Sequence, residues 1–211
     1  MKELSLSFPC GDLVLEGRLA LPATSARAAA AVLCHAHPLY GGSMDSNVLD
    51  AIVSALGQLS IAALKFNFRG VGGSQGSFGG GIEEQKDLDA ALEYAASRPE
   101  IDATRIGAAG YSFGASVVLP VARRDVRIRA MALVSPAVAP ADLSKLEGWE
   151  RPALVISGDM DDFVSANELR ALRGRISGGP QIEVISGADH FWWGREGPIA
   201  EKTAAFFAAH L

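Results

Sequence analysis

A serine between two glycines stands near the middle of the chain, in the run Gly110-Tyr111-Ser112-Phe113-Gly114. Residues 104–109 before it are typical of a short buried strand, and residues 115–122 after it are typical of a helix. A serine at such a strand-to-helix turn is the signature of a nucleophile elbow, in which the sharp turn pushes the hydroxyl out of the sheet. Glycine is needed on both sides because a Cβ there would crowd the turn. We therefore expect Ser112 to be a nucleophile.

A second run, residues 72–76, also has the pattern Gly-x-Ser-x-Gly, with Ser74 at its centre. With 23 glycines in 211 residues, the pattern alone is weak evidence. The glycine-rich residues 77–81 follow this second run, and no helix can begin there. The strand–turn–helix context therefore favours Ser112 as the nucleophile and indicates that Ser74 is a loop residue.

A serine hydroxyl is a weak nucleophile until a base takes its proton, and the chain has four histidines. His190 follows the last predicted strand, where a mobile imidazole can reach the elbow. We expect it to be the base, the alternative being a surface loop histidine. His210, near the end of the last predicted helix, is expected to be exposed. His35 is expected to be buried and to tie its loop by hydrogen bonds. His35 and His37 are spaced like a pair of metal ligands, but no third ligand lies nearby, so no metal is predicted.

A carboxylate must orient the imidazole of the base and stabilise its charged form. Asp159, Asp161 and Asp162 all follow a predicted strand and compete for this role. Asp159 is better suited to a turn, where its carboxylate caps the loop backbone. Asp189 is adjacent to His190 in sequence, and neighbours rarely face each other productively. We therefore assign Asp189 to loop structure.

A scaffold must bring these side chains together, and the apolar pattern predicts one. Predicted strands cover residues 4–8, 13–21, 28–34, 61–68, 104–109, 129–134, 153–157 and 181–185, and predicted helices cover 48–59, 88–95, 115–122, 167–176 and 199–207. Continuous apolar strands between helices indicate an α/β fold with a mostly parallel sheet covered on both faces. Functional residues gather at the carboxyl ends of such strands. Serine, aspartate and histidine follow successive strands in the order expected of the α/β-hydrolase arrangement.

The chain resembles the α/β-hydrolase superfamily over essentially its whole length. Within it, the chain is most similar to small lidless bacterial hydrolases with a His-x-His-Pro-Leu-x-Gly-Gly loop, here residues 35–42, and an Asn-Phe-Arg-Gly turn, here residues 67–70. Dienelactone-hydrolase-like enzymes are more distant relatives. They use a cysteine nucleophile, so Ser112 puts their substrate in doubt here. The resemblance implies a serine hydrolase, and it favours Asp161 as the carboxylate.

The resemblance also bears on the loops around the site. A cap would be inserted between residues 135 and 151, and these seventeen residues are too few for a cap domain. The oxyanion that develops in acyl transfer needs preorganised N–H donors. Phe113, directly after the nucleophile, supplies one at a helix N-terminus. By family position the amide of His37 or of Tyr40 supplies the other, since Pro38 has no N–H.

Aromatic residues directly follow the expected base, in the run Phe191-Trp192-Trp193. One of these aromatics is expected to pack under the last helix and one to line the substrate pocket, with Trp192 as the pocket residue. Tyr40 and Met44 are expected to add apolar wall, which favours an apolar, uncharged substrate. Arg69 is expected to anchor loops by pairing with a carboxylate.

The composition is that of one globular domain, residues 1–211, with 49% apolar and 20% charged residues. A net charge of −5 argues against nucleic acid or an anionic membrane as a partner. No apolar run resembles a signal peptide or a membrane span, and the two cysteines suggest no disulfide framework. We therefore expect a cytoplasmic protein. The glycine-rich residues 70–73 lack a following helix that could cradle a phosphate, so no cofactor is predicted. A homodimer is left open.

The leading hypothesis is an enzyme that cleaves small-molecule carboxylesters or thioesters through a covalent acyl-Ser112 intermediate. A peptidase or amidase with the same triad is the first alternative. A non-catalytic binding protein on a hydrolase fold is the second, and it is disfavoured because no member of the triad is missing.

Overall fold

One eight-stranded sheet runs through the centre of the structure. The computed structural model describes residues 1–23, 26–137, 143, 146, 149–175 and 180–211. In chain order the strands are β1 (Lys2–Cys10), β2 (Leu13–Leu21), β3 (Ala28–Cys34), β4 (Ala62–Phe66), β5 (Ile101–Tyr111), β6 (Ile128–Val134), β7 (Ala153–Gly158) and β8 (Gln181–Ile185). Across the sheet their order is β1-β2-β4-β3-β5-β6-β7-β8. The opening pair β1 and β2 is antiparallel, β2 is antiparallel to β4, and every other pairing is parallel.

Helices cover both faces of this sheet. Those in the described part of the chain are α1 (Asn47–Gln58), α2 (Glu84–Ser97), α3 (Phe113–Arg124), α4 (Ala166–Arg175) and α5 (Glu196–His210). Apolar residues of α1 and α5 share one core with one face of the sheet, and those of α2, α3 and α4 share another core with the opposite face. The α/β-hydrolase fold expected from the sequence is confirmed.

The apolar pattern explains why these segments form these elements. Every residue of β3, β4 and β7 is buried, as expected for strands covered on both faces. In α1 the buried residues recur three or four positions apart, and the Ser46 side chain accepts a hydrogen bond from the Leu49 N–H to cap the first turn. Strand β4 ends two residues earlier than predicted because residues 67–70 leave the sheet to form a turn. Residue 176, the last residue of the helix predicted over residues 167–176, lies outside the described residues.

The parallel strands all end at the same edge of the sheet, and the loops at that edge carry the candidate site. Of the segment between β6 and β7, where a cap would lie, residues 135–137, 143, 146 and 149–152 are described. Leu143, Leu146 and Trp149 are buried in the core on the α3 side. Within the described ranges, no helix has the length and apolarity needed to cross a bilayer.

Candidate active site

Ser112 occupies a strained turn between β5 and α3. Its φ of 54° and ψ of −114° lie outside the regions that non-glycine residues normally adopt. A Cβ added at Gly110 would lie 2.3 Å from the backbone of Gly114, and one added at Gly114 would lie 2.4 Å from the carbonyl oxygen of Cys34. Both glycines are therefore required by close backbone packing, as the sequence predicts. The turn holds the Ser112 side chain above the sheet edge, as in a nucleophile elbow.

The structure brings Ser112, His190 and Asp161 into one hydrogen-bonded chain. The Nε2 atom of His190 lies 2.9 Å from the Oγ of Ser112. On the other side of the ring, Nδ1 lies 2.9 Å and 3.0 Å from the two carboxylate oxygens of Asp161. All three residues are buried. The Tyr111 hydroxyl donates to the backbone carbonyl of His190 at 2.9 Å, which fixes the loop that carries the imidazole.

Asp161 is surrounded by hydrogen-bond donors. One carboxylate oxygen accepts from the backbone N–H groups of Phe163 at 2.9 Å and Val164 at 3.1 Å. Burial raises the pKa of the Asp161 carboxyl, but the hydrogen bond and charge of His190, with donors from Ser135 and Phe163, outweigh burial and lower it. The environment therefore keeps Asp161 ionised.

A chain of hydroxyls and one indole supports Asp161 from behind. The Ser157 hydroxyl donates to Asp161 Oδ2 at 2.9 Å, and the Oγ atoms of Ser157 and Ser135 are 3.5 Å apart. The indole N–H of Trp192 donates to Ser135 Oγ at 2.9 Å. Trp192 is fully buried in the core under α1 and α5, so the expectation that it lines the pocket is wrong. The sequence reasoning missed both serines, although each lies at or next to the carboxyl end of a strand.

A cavity of about 630 Å³ opens over Ser112 and His190. Phe113 and His37 both contribute to its wall, and their backbone N–H groups make no hydrogen bond to the described residues. Both amides remain candidates for an oxyanion hole. The N–H of Tyr40 instead donates to the His37 carbonyl at 3.1 Å in the 3₁₀ turn Pro38–Tyr40. The expectation that the Tyr40 amide serves the oxyanion is therefore corrected, because that donor is already engaged.

The cavity wall differs in part from the one expected from the sequence. Met44 is almost fully buried and does not line the cavity, whereas Tyr40 does. Phe191 and Phe163 line it instead; the sequence predicted one pocket aromatic in the run 191–193 but favoured Trp192 over Phe191, and it did not single out Phe163. No lysine, arginine, aspartate or glutamate is among the described lining residues. An uncharged substrate is therefore the better fit.

His35 lies beside the site without taking part in the chain. Its Nε2 accepts from the Phe68 backbone N–H at 3.0 Å, and its Nδ1 lies 2.6 Å from the Ala36 carbonyl. Burial lowers the pKa of His35 from the usual 6.5 to about 4, against smaller opposing effects of Ala36 and Asp87. Its predicted role of tying the loop is confirmed. The described residues include no cluster of three or more His, Cys, Asp or Glu side chains suited to a metal ion.

Other polar residues have the structural roles predicted for them. The Arg69 guanidinium pairs with the buried carboxylate of Asp87 at 2.6 Å, which joins the turn at residues 67–70 to α2. Ser74 lies in a loop and donates to the Asn67 carbonyl at 2.7 Å. Asp159 accepts from Gly187 and Ser186 and thereby joins two loops. Asp189 accepts from the backbone of the two residues after His190. His210 is exposed.

Comparisons with known proteins found one matching family model and several similar proteins. The sequence model of the Dienelactone hydrolase family matches residues 82–209. The uncharacterised protein RP471 of Rickettsia prowazekii (strain Madrid E) is 36% identical over an alignment of 201 residues that covers 91% of this chain and 82% of that protein. An alpha-beta serine hydrolase homologue from Coxiella burnetii has a TM-score of 0.85 and 32% identity, with 97% of each chain covered. XC6422 from Xanthomonas campestris, an α/β serine hydrolase without a lid, has a TM-score of 0.83 and 28% identity, covering 98% of this chain and 94% of that one.

Proposed function

The chain belongs to the dienelactone hydrolase family, and on that premise we propose that it is a serine hydrolase of small carboxylesters or thioesters. The observation that carries this proposal is the unbroken hydrogen-bonded chain Ser112–His190–Asp161, with every link close to 2.9 Å. These are the distances that a nucleophile, its base and an orienting carboxylate need.

The first half of the reaction forms an acyl-enzyme. Ser112 Oγ attacks the carbonyl carbon of the substrate while its proton passes to His190 Nε2. The carbonyl oxygen becomes an oxyanion, which the N–H groups of Phe113 and His37 stabilise, assisted by the N-terminal dipole of α3. When the intermediate collapses, the bond to the leaving alcohol or thiol breaks and the leaving group takes the proton from His190. The acyl group remains on Ser112.

The second half regenerates the enzyme. A water molecule attacks the acyl carbon, gives its proton to His190, and the bond to Ser112 Oγ breaks as that oxygen recovers the proton. Asp161 stays ionised throughout. By accepting from Nδ1 it holds the imidazole in the tautomer whose Nε2 can accept a proton, and it stabilises the charged ring. The other donors to Asp161, which are Ser157 and the backbone N–H groups of Phe163 and Val164, hold the carboxylate in place without neutralising it.

Separate substitutions of Ser112 and Ser74, the central serines of the two Gly-x-Ser-x-Gly sequences, test this proposal. With p-nitrophenyl acetate as substrate, Ser112→Ala is expected to lower kcat by a factor on the order of 10⁶, because the nucleophile is removed. Ser74→Ala is the matched control and is expected to keep most of the activity, since Ser74 Oγ bonds only backbone groups of Asn67 and Glu16 and does not line the cavity. Circular dichroism establishes that both variants fold. A folded Ser112→Ala protein with near wild-type kcat would refute the proposed nucleophile.

A further inference from the structure

Aromatic rings form nearly all of the large apolar surface in the cavity over Ser112. Within the described part of the chain fourteen residues line it, and five of these are aromatic: Tyr40, Tyr111, Phe113, Phe163 and Phe191. None of the fourteen is valine, leucine, isoleucine or methionine, although these residues fill the two cores of the same molecule. The remaining apolar lining consists of small residues. The cavity is therefore walled by flat faces and ring edges rather than by branched aliphatic groups.

Two of these rings form a corner beside the expected base. The ring centroids of Phe163 and His190 are 4.5 Å apart. The ring of Phe191 stands at 87° to that of Phe163, with centroids 6.5 Å apart. Phe163 is 65% exposed and Phe191 is 52% exposed, so much of each ring surface is free. A flat ring in this corner can stack against one phenyl group and meet the other edge to face, which are the favoured arrangements of aromatic pairs.

The corner is held by the same loops that hold the triad. The backbone N–H of Phe163 donates to Asp161 at 2.9 Å, and that of Phe191 donates to Asp189 at 3.0 Å. The Asn47 side-chain amide donates to the Phe191 carbonyl at 3.0 Å and to Glu196 at 3.0 Å. Because the backbone of both residues is fixed, little conformational entropy is lost when a ligand binds there.

The loop after β3 adds further aromatic surface to the cavity wall. The His37 ring packs against Phe113 and against Tyr40, with centroids 4.8 Å apart in each pair. Tyr40 is 87% exposed. Substituents of a bound ring therefore meet aromatic surface from a second loop as well.

We propose that the preferred substrate is an ester with an aromatic ring in its acyl or alcohol part, and that Phe163 and Phe191 select this ring. The inference rests on the proposed function, since it names the substrate class of the same site. Contact between aromatic rings stabilises a complex beyond what the buried apolar area alone contributes. We expect this contact to favour the aromatic ester by about two- to tenfold in kcat/KM. A cyclohexyl group has as many carbons and a larger apolar surface than phenyl, so a pocket that selects by hydrophobicity alone would favour cyclohexyl.

Two matched pairs of esters isolate this preference. The first pair is methyl 3-phenylpropanoate and methyl 3-cyclohexylpropanoate, and the second is 2-phenylethyl acetate and 2-cyclohexylethyl acetate. In each pair two methylene groups separate the ring from the ester group, so the intrinsic reactivity of the two carbonyls is nearly equal. The measured quantity is the ratio of kcat/KM, phenyl over cyclohexyl. We expect a ratio of about two to ten in at least one pair.

Substitutions of Phe163 and Phe191 test whether these two rings cause the preference for phenyl over cyclohexyl esters. Phe163→Leu and Phe191→Leu keep an apolar side chain but remove the ring, and each is expected to bring the ratio towards one or below. Trp193→Leu is the matched control, because Trp193 is an exposed aromatic in the same loop as Phe191 that does not line the cavity. Its ratio is expected to equal that of the wild type. A drop in the ratio in the control as large as in the phenylalanine variants would overturn the assignment.

The outcomes separate this inference from the proposed function. Hydrolysis of the esters with a ratio of one or less in both pairs would overturn the aromatic preference and leave the serine hydrolase proposal standing. A wild-type ratio above one that persists in both phenylalanine variants would overturn the role of the corner. Failure to hydrolyse any of the four esters or p-nitrophenyl acetate would overturn both proposals together.

Discussion

At the scale of single residues, His35 shows how the fold sets the chemistry of a group that the proposed reaction does not use. The imidazole is fully buried and engages a backbone group through each ring nitrogen. Its Nε2 can accept from the Phe68 N–H only while that nitrogen carries no proton. Both burial and this hydrogen bond therefore require the neutral ring.

The low pKa of His35 predicts a loss of stability in acid. In the folded protein its pKa is about 4, and on an exposed chain it returns to 6.5. Between these values the unfolded state binds a proton that the folded state does not, so the free energy of unfolding falls as the pH drops from about 6.5 to about 4. Above that window the contribution is fully present. The full loss is about 3 kcal/mol.

Urea denaturation at a series of pH values between 7 and 4 measures this effect. His35→Gln keeps an acceptor for the Phe68 N–H but cannot take up a proton, so its stability is expected to fall less over the same range. Parallel curves for the wild type and the variant would contradict the assignment of the effect to His35.

Single residues also mark the limit of what the sequence could predict. Ser112 and His190 could be named because each follows a strand and parallel strands end at one edge, whereas Asp161 was chosen among three aspartates after one strand by the family resemblance. Trp192 could not be placed, because the direction of its side chain depends on a positive φ of 61° in a loop without periodicity. That local conformation turns the indole into the core and leaves Phe191 at the cavity. Phe163 was missed for the same reason, as loop residues carry no pattern that tells inward from outward.

At the scale of elements, the elbow depends on how closely α3 approaches the end of β3. Gly114, in the first turn of α3, packs directly against the backbone of Cys34 and His35. This contact places the start of the helix beside the loop that carries His37. The distance between the two candidate oxyanion donors therefore depends on a residue with no side chain.

Gly114→Ala is expected to destabilise the protein and lower its activity. The added Cβ would lie 2.4 Å from the Cys34 carbonyl oxygen, so the backbone must shift. Overpacking of this kind typically costs 1–3 kcal/mol, here about 3 kcal/mol because a backbone atom is involved. The matched control is Gly197→Ala in α5, where no atom lies within 4 Å of the added Cβ. The control is expected to be neutral or stabilising by about 0.5 kcal/mol. Equal melting temperatures for the two variants would refute this account of the elbow.

The elements themselves could be predicted well from apolar periodicity. Strands β2, β3 and β8 have the predicted bounds, because turn residues or polar residues flank each apolar run. Strand β5 is longer than predicted at both ends: it begins at Ile101, before the half-buried or exposed residues 102–105, and it continues through Gly110 and Tyr111 to the elbow. Periodicity locates the continuous apolar part of a strand and misses strand residues that lie beyond an exposed stretch or next to a turn.

At the scale of the whole molecule, the open edge of the sheet limits how a substrate can be held. The comparison with a lidless α/β serine hydrolase agrees with the short connection of residues 135–151. Exposed apolar side chains surround the cavity on the loops after β3, β7 and β8, as Tyr40, Phe163 and Phe191 illustrate. Because these side chains are half or more exposed, the mouth of the cavity is open, and a long alkyl chain would leave much of its surface in water.

We therefore expect kcat/KM to be highest for short acyl groups. Each added CH₂ contributes about 0.8 kcal/mol only where a pocket receives it, so in a linear series the maximum is expected at about two to six carbons. No activation at an oil–water interface is expected, because the seventeen residues 135–151 are too few for a lid that must open. The measurement is a p-nitrophenyl ester series from acetate to palmitate, below and above the solubility limit. A maximum at twelve carbons or more would reveal an enclosed hydrophobic tunnel.

The most direct test of the proposed function is labelling with a fluorophosphonate, followed by peptide mapping. The probe reacts preferentially with a serine whose hydroxyl is activated by a neighbouring base. The hydrogen bond between Ser112 and His190 predicts stoichiometric labelling of the peptide that contains Ser112, and none in the Ser112→Ala or His190→Ala variants. Absence of labelling in the wild type, or a label on Ser74, would contradict the assignment of Ser112 as the nucleophile.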